Sequence, residues 1–378
     1  MTRISSSIAR MRGAGLSGAI LLTVSVPFAA PLAGQTAPVS TVFATRLLYP
    51  RGLAFGPDGA LYVAEAGLPG AAQSTSTVGQ CTQVPSPVGP YKGGKTSRIS
   101  RIDAKGNRTT VADGLPSAQS ANGSVVGAAA IAFVEGQMYV LLQGSGCSHG
   151  NAGTANGIAR VNKDGTWELV ADLSAFWQAN PVAFPEADDF EPDGDPYSMT
   201  SLRGELYVVE ANHGELDRVI LDDEGEEGGH AARIERVVDV SKTEGHAVPT
   251  VAAYRHGSFY VSNLNTFPVA PGSSKVWKVS RGGAISPWAE GLTAVLGLAF
   301  DEGRLFALET TTVAGPPRPD TGKIVRVTPK GVTPIVNALS FPTAMILGPD
   351  GALYVSNHGF GQPGLGEILR VEADPDTR

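Results

Sequence analysis

Six positions in this chain could do chemistry together. They are Glu65, Leu142, Glu210, Asn263, Glu309 and Asn357, and each stands three residues past an aromatic residue, Tyr62, Tyr139, Tyr207, Tyr260, Phe306 and Tyr354. Five of the six carry a carboxylate or amide oxygen. The three glutamates fall at alternate copies of one repeat, so a closed ring would bring them toward a common axis. Carboxylates roughly 6 Å apart repel by about 3 kcal/mol at an effective dielectric of 20. Such a group needs a cation, basic partners or protonation. Hard oxygen donors suit Ca²⁺ or Mg²⁺ better than zinc. Glu65, Glu210, Asn263, Glu309 and Asn357 are therefore the expected metal set, with water activation or Lewis-acid assistance as its chemistry. Arg51 offers the alternative, neutralising a glutamate without metal. His149, Asn212, His213 and His358 are the other expected supports of the channel mouth.

Other stretches imitate known sites. Asp189, Glu191, Asp193 and Gly194 in DFEPDGD resemble the start of a calcium loop, but Thr200 stands where the bidentate glutamate belongs. Gly146–Gly150, GCSHG, matches G-x-S-x-G, which would make Ser148 a nucleophile. The NAGTANG that follows does not begin the helix a nucleophile elbow requires. GFGQPG at 359–364 has no βαβ unit around it, so no nucleotide cofactor is expected. Cys81 and Cys147 are the only cysteines. They fall in equivalent loops of neighbouring repeats and predict a disulfide.

These residues need a scaffold, and the repeats supply one. YPRGLAFGPDGALYVAEAG at 49–67 returns as FPTAMILGPDGALYVSNHG at 341–359, with four looser copies between. Successive aromatics are 77, 68, 53, 46 and 48 residues apart, the spacing of propeller blades. Each copy reads as a hairpin joined by a Gly turn. A third strand with an internal basic residue follows, at 98–103, 157–162, 215–220, 275–280, 323–327 and 367–372. Five fourth strands follow six third strands. VFATRLL at 42–48 supplies the sixth, pairing into the last blade and closing the ring. The expected fold is all-β, a six-bladed β-propeller over 41–372, with a 35–40 linker and a 373–378 tail. A short helix at 174–180 with Ser174 as N-cap is the one expected departure. Long connections, 66–97, 113–129, 143–156, 173–196, 264–274, 310–322 and 358–366, all emerge on one face. That concentration points to ligands or partners there.

Composition narrows the setting. The chain has 378 residues with Gly 47 and Pro 27, as many turns demand, and only 17% charged residues. Residues 1–34 read as a signal peptide: Arg3, Arg10 and Arg12 precede an apolar stretch interrupted by Pro27, and small residues follow. Without it, 26 basic residues face 36 acidic ones, a net charge of −10. Nothing favours nucleic acid, and no membrane span is expected after cleavage. The expected product is a secreted or periplasmic monomer.

GLAFGPDGALYVAE, GCSHG and PEADDFEPDGDPYSM together resemble the ScyD/ScyE family of secreted bacterial propellers, over nearly all of the mature chain. More distantly the repeat is similar to gluconolactonase/SMP-30 and NHL propellers. The resemblance implies fold and export, and no established reaction. Two function classes follow. The first is a binding or scaffolding propeller that holds a small molecule or an envelope protein on its long-loop face. The second is a Ca²⁺- or Mg²⁺-assisted hydrolase like lactonases of this architecture. Nothing specific marks a quinone-dependent dehydrogenase, the third function known on such folds.

Overall fold

Each repeat folds as an antiparallel sheet whose second strand is apolar on both faces, because that strand is sandwiched between neighbouring blades. Leu61–Glu65 and Leu353–Asn357 are buried at every position. The outermost strands are instead largely open, as Gly331–Leu339 is, where Val336 and Leu339 alone are buried. The computed structural model describes residues 40–68, 74–221 and 232–372. The segment expected to be a signal peptide, 1–34, residues 35–39 of the expected linker and the tail at 373–378 lie outside the described residues. No helix among the described residues is long and apolar enough to cross a membrane.

Six sheets form the six blades of a β-propeller. From the axis outward, blade 1 is Pro50–Phe55, Leu61–Glu65, Lys92–Ile102 and Arg108–Gln119, with Val125–Val126 added at its edge. Blade 2 is Ala128–Val134, Gln137–Leu142, Gly157–Val161 and Trp167–Asp172. Blade 3 is Pro196–Leu202, Glu205–Glu210, Glu215–Ile220 and Arg233–Asp239. Blade 4 runs from Pro249–Arg255 to Ile285–Leu292 and blade 5 from Val295–Asp301 to Gly331–Leu339. Blade 6 takes Ala344–Leu347, Leu353–Asn357 and Gly366–Val371 from the C-terminal end, and Ser40–Leu47 from the N-terminal end. The closing strand thus pairs as expected, Ser40 opposite Val371 and Leu47 opposite Gly366, and ends one residue early. Leu48 leaves the ladder for a contact described below.

Among the described residues the core has six main packets, one between each pair of adjacent blades, and two smaller ones around Tyr91 and Tyr49. Tyr62, Ile99 and Leu115 of blade 1 meet Ile131, Val140 and Leu142 of blade 2. At the closure, Ala44 and Leu47 join Leu53, Val63, Tyr354 and Ile368 across blades 6 and 1. The repeat aromatics serve these packets: Tyr62 stands edge-on to Phe133 at 5.1 Å, and Tyr354 to Phe55 at 5.1 Å. Their hydroxyls donate to the turn acids, Tyr62 to Asp58 at 3.3 Å and Tyr354 to Asp350 at 3.2 Å. The recurrent basic residue of the third strand has the same target, Arg101 Nε donating to Asp58 and Arg370 Nε to Asp350, each at 2.7 Å. The repeat signature is thus a tyrosine, acid and arginine brace on the short-loop face.

The short helix is Leu173–Ala179, and its cap differs from expectation. Asp172 accepts the Ala175 N–H at 2.8 Å. Ser174 lies inside the first turn, and its hydroxyl donates to the Asp193 carbonyl at 2.8 Å.

Candidate functional site

The six strand-end residues do not assemble into one cluster. Among the described residues no three His, Cys, Asp or Glu side chains gather as metal ligands. Glu65 is held by Arg98 through two hydrogen bonds of 2.9 and 2.8 Å, by Ser100, and by the Leu48 N–H at 2.6 Å. Glu210 accepts backbone N–H groups of Asp195, Asn212, His213 and Gly214 at 2.6, 3.1, 2.5 and 3.1 Å. Asn263 donates to the Ala247 carbonyl and accepts from the Lys275 N–H, at 2.8 and 2.9 Å. Asn357 accepts from the Ser340 N–H at 3.0 Å and donates to Glu367 at 2.9 Å. Glu309 is buried beside Lys323 Nζ at 3.1 Å. Burial raises its pKa, and Lys323 opposes the rise.

The repeated Glu or Asn is therefore a clamp. At Glu65, Glu210, Asn263 and Asn357 it ties the end of the second strand to the backbone entering that blade. At Glu65 and Glu210 a cation does not fit, because the carboxylate lone pairs are already taken by guanidinium and backbone N–H groups, while the buried Glu309 oxygens have only the Lys323 ammonium beside them. Arg51 does not neutralise any of the three glutamates either; Arg98, Lys323 and backbone amides do so.

The expected supports divide. His358 belongs to the clamp level of blade 6, its N–H donating to the Ser340 carbonyl at 2.8 Å. Asn212, His213 and His149 enter a buried network with the 185–195 loop. Asn212 accepts the Glu191 N–H at 2.8 Å and donates to the Asp189 carbonyl at 2.9 Å. His213 stacks on Phe190 with centroids 5.0 Å apart. His149 Nε2 and Glu191 Oε2 are 3.0 Å apart, and the Tyr91 hydroxyl donates to Glu191 at 3.2 Å. Burial works against a charged His149, but the hydrogen bond and charge of Glu191, backed by Asp195 and Asp193, outweigh it and raise its pKa.

DFEPDGD is consequently no calcium loop, since its acids face protein donors. Asp193 accepts from the Ser148 N–H at 2.7 Å and from its hydroxyl at 2.6 Å. Asp189 faces His246 at 3.4 Å. Ser148 is fully buried and sits in a single 3₁₀ turn, Cys147–His149, so it cannot act as an exposed nucleophile. The Cys81–Cys147 disulfide forms, with Cα atoms 6.3 Å apart, and fastens the 66–97 loop to this turn. Gly93 lies so close to the same turn that a Cβ there would stand 2.4 Å from the Gly150 carbonyl oxygen.

The six inner strands enclose a cavity of about 520 Å³ along the axis, within the range of small-molecule sites. Ala130, Ala132, Leu298 and Met345 help to line it. Arg51, Gln143, Tyr197 and Thr343 also line it, on the side that leads to the long loops. Arg51 is partly exposed. Its guanidinium donates to the Val125 carbonyl and has no ion pair with a carboxylate among the described residues. Its Nε is buried without a partner. Tyr197 donates to the Thr343 carbonyl at 3.0 Å; burial pushes its pKa up to about 12 against the opposing charge of Arg51.

Gln143 Nε2 donates to Asp195 Oδ1 at 2.5 Å, while the Gln143 N–H donates to the Gly127 carbonyl at 2.8 Å. Burial, then Glu191, raises the Asp195 pKa to about 8, with Glu210 adding to the rise and His149 and Gln143 opposing it. Asp195 is nevertheless partly open at its surface. Gln143, Asp195, Tyr197 and Tyr91 were not foreseen from the sequence. One signal was present: Leu142 breaks the repeat in blade 2, and the next residue, Gln143, is the one turned to the cavity.

No protein-family model matches the chain, and no curated protein matches its sequence. Solved structures do resemble it. One is a protein from Thermus thermophilus described as an oxidoreductase (glucose dehydrogenase), with 16% identity over 89% of this chain and 100% of that one, TM-score 0.54. Another, described as glucose dehydrogenase, has 16% identity over 89% and 100%, TM-score 0.55. A gluconolactonase from Xanthomonas campestris has 10% identity over 89% and 90%, TM-score 0.50. At such identities the likeness shows a shared propeller fold.

Proposed function

We propose that this chain is an exported binding propeller of the ScyD/ScyE type, which takes a small carboxylate-bearing molecule into the long-loop mouth of its channel. One observation carries the reading. Arg51 presents a guanidinium to the cavity with no carboxylate paired to it among the described residues. A guanidinium and a carboxylate 4 Å apart attract by about 4 kcal/mol at an effective dielectric of 20, and the planar fork adds directional donors. The leader at 1–34 and the disulfide support export. Leu68, Phe184, Phe267, Phe360 and Leu365 are exposed on the long-loop face, which supports a partner surface around the same mouth.

The test is a thermal-shift screen of small carboxylates on wild type and Arg51→Gln. Stabilisation of wild type that vanishes in the variant supports the reading. No carboxylate stabilising wild type, or equal stabilisation of both, would refute it.

A second reading is a hydrolase, and Asp195 favours it. A carboxyl with a pKa of about 8 is still protonated near neutral pH and is suited to general-acid work. Ca²⁺ or Mg²⁺ assistance would need ligands other than the clamp residues. A screen of lactones and esters with and without chelator tests this reading. Hydrolysis that survives in Asp195→Asn would remove that residue from it.

A further inference from the structure

Arg51 is only half of what the mouth offers. Asp195 Oδ1 is taken by Gln143, while Oδ2 accepts no hydrogen bond from the described residues and the side chain is partly open. Arg51 and Asp195 do not pair with each other, yet the same two phenols, Tyr91 and Tyr197, feel the charge of both. Arg51 and Gln143 are close neighbours as well. Arg51 braces the Val125 carbonyl and the Gln143 N–H braces that of Gly127, two residues along the same segment. Gln143 thus lines the cavity with Arg51, a cation with no counter-ion among the described residues, and holds Asp195, a carboxyl with one oxygen left free of hydrogen bonds from the described residues.

We propose that this mouth is a zwitterion site: Arg51 takes the carboxylate, and Asp195, oriented by Gln143, takes the ammonium of a small α-amino acid. The inference rests on the carboxylate reading above and adds the second pole. A simple carboxylate would satisfy Arg51 and leave Asp195 facing nothing. A hydroxy acid would offer Asp195 a neutral donor. Only an ammonium matches the acidic surroundings, where Glu191 and Glu210 lie behind Asp195 and raise its pKa. An ammonium there favours the ionised carboxyl and so makes a charged pair where the empty site holds a neutral group. Of the two rings in that group, His149 is committed to Glu191 and His213 to the Glu191 carbonyl. Beyond the two poles, Ala130, Ala132, Leu298 and Met345 leave apolar room for a side chain.

Calorimetric titration of wild type compares matched ligands at pH 7: leucine, 2-hydroxy-4-methylpentanoate and 4-methylpentanoate, with glycine and phenylalanine beside them. At least one amino acid is expected to bind about tenfold or more tightly than the hydroxy acid and the plain acid. Asp195→Asn should level the three leucine-shaped ligands, and Arg51→Gln should lose them all. The Asp195 carboxyl is largely uncharged at this pH, so the amide keeps the fold, and the wild-type comparison needs no variant. If the hydroxy acid or plain acid binds as well as every amino acid, the zwitterion inference falls while the carboxylate reading stands. If nothing in the series binds, both fall.

Discussion

The Leu48 N–H donates to Glu65 Oε2 at 2.6 Å, so the first residue after the closing strand is tied to the end of the second strand of blade 1. That bond braces the passage from the last blade to the first, because the strand before Leu48 belongs to blade 6. Glu65 is fully buried, and its partner Arg98 is mostly so. Removing one member of a buried ion pair leaves the other uncompensated, at about 3–5 kcal/mol. Glu65→Ala should therefore lower unfolding free energy by about 3 kcal/mol or more in denaturant titration. Bound-calcium analysis should give the same result for wild type and variant, because the role is structural.

The same closure predicts the effect of truncation. Without Ser40–Leu47, the edge of Gly366–Val371 loses its partner and the packet around Leu53, Val63 and Tyr354 loses Ala44 and Leu47. An unpaired strand edge templates association. Light scattering of protein lacking residues 40–47 should show aggregation, with a lower melting temperature in whatever stays monomeric.

The disulfide spans 66 residues of sequence. Closing a loop of that length in the unfolded chain is worth about 4 kcal/mol in the chain-entropy account. Mass spectrometry of the non-reduced digest should find the two cysteine peptides linked. Cys147→Ser should lower stability by a few kcal/mol or less, and should first increase proteolytic cutting in the 74–97 stretch.

Most of the fold was legible because it repeats. Two residues of period, a Gly turn and an aromatic at the same place six times leave little choice of architecture, and counting third against fourth strands located the closure. The site was legible only in part. The strand-end acids were visible, but sequence places them at equivalent strand ends without saying which way each side chain turns. They turn to the entering backbone, where N–H groups need acceptors, and not to the axis. Asp195 belongs to no repeat position, so periodicity could not point to it, and Gln143 was signalled only by the break at Leu142. Their pairing depends on the 185–195 loop folding back over blade 2, a long-range contact no local pattern encodes. Arg51 was visible but was assigned to the wrong partner.

Asp195 also sets a pH dependence. Its folded pKa of about 8 lies above the unfolded value of about 3.8, so its carboxyl favours folding most below that lower value. The contribution is lost progressively as pH rises through about 8. Asp195→Asn removes the ionisation, so the variant should gain in melting temperature relative to wild type between pH 5 and pH 8.5. His149 owes part of its raised pKa to the Asp195 charge, so its own contribution is smaller in the variant and offsets part of that gain.

The central claim is that Arg51 binds a carboxylate at the channel mouth, and a matched acid and amide test it most directly. Calorimetry at pH 7 should detect 4-methylpentanoate binding to wild type but not 4-methylpentanamide, which has the same shape and no charge. Truncating a desolvated charge contact costs about 2–5 kcal/mol, so Arg51→Gln should weaken the acid at least tenfold while circular dichroism and melting stay near wild type. Equal binding of acid and amide, or undiminished binding of the acid by a folded Arg51→Gln, would contradict the account.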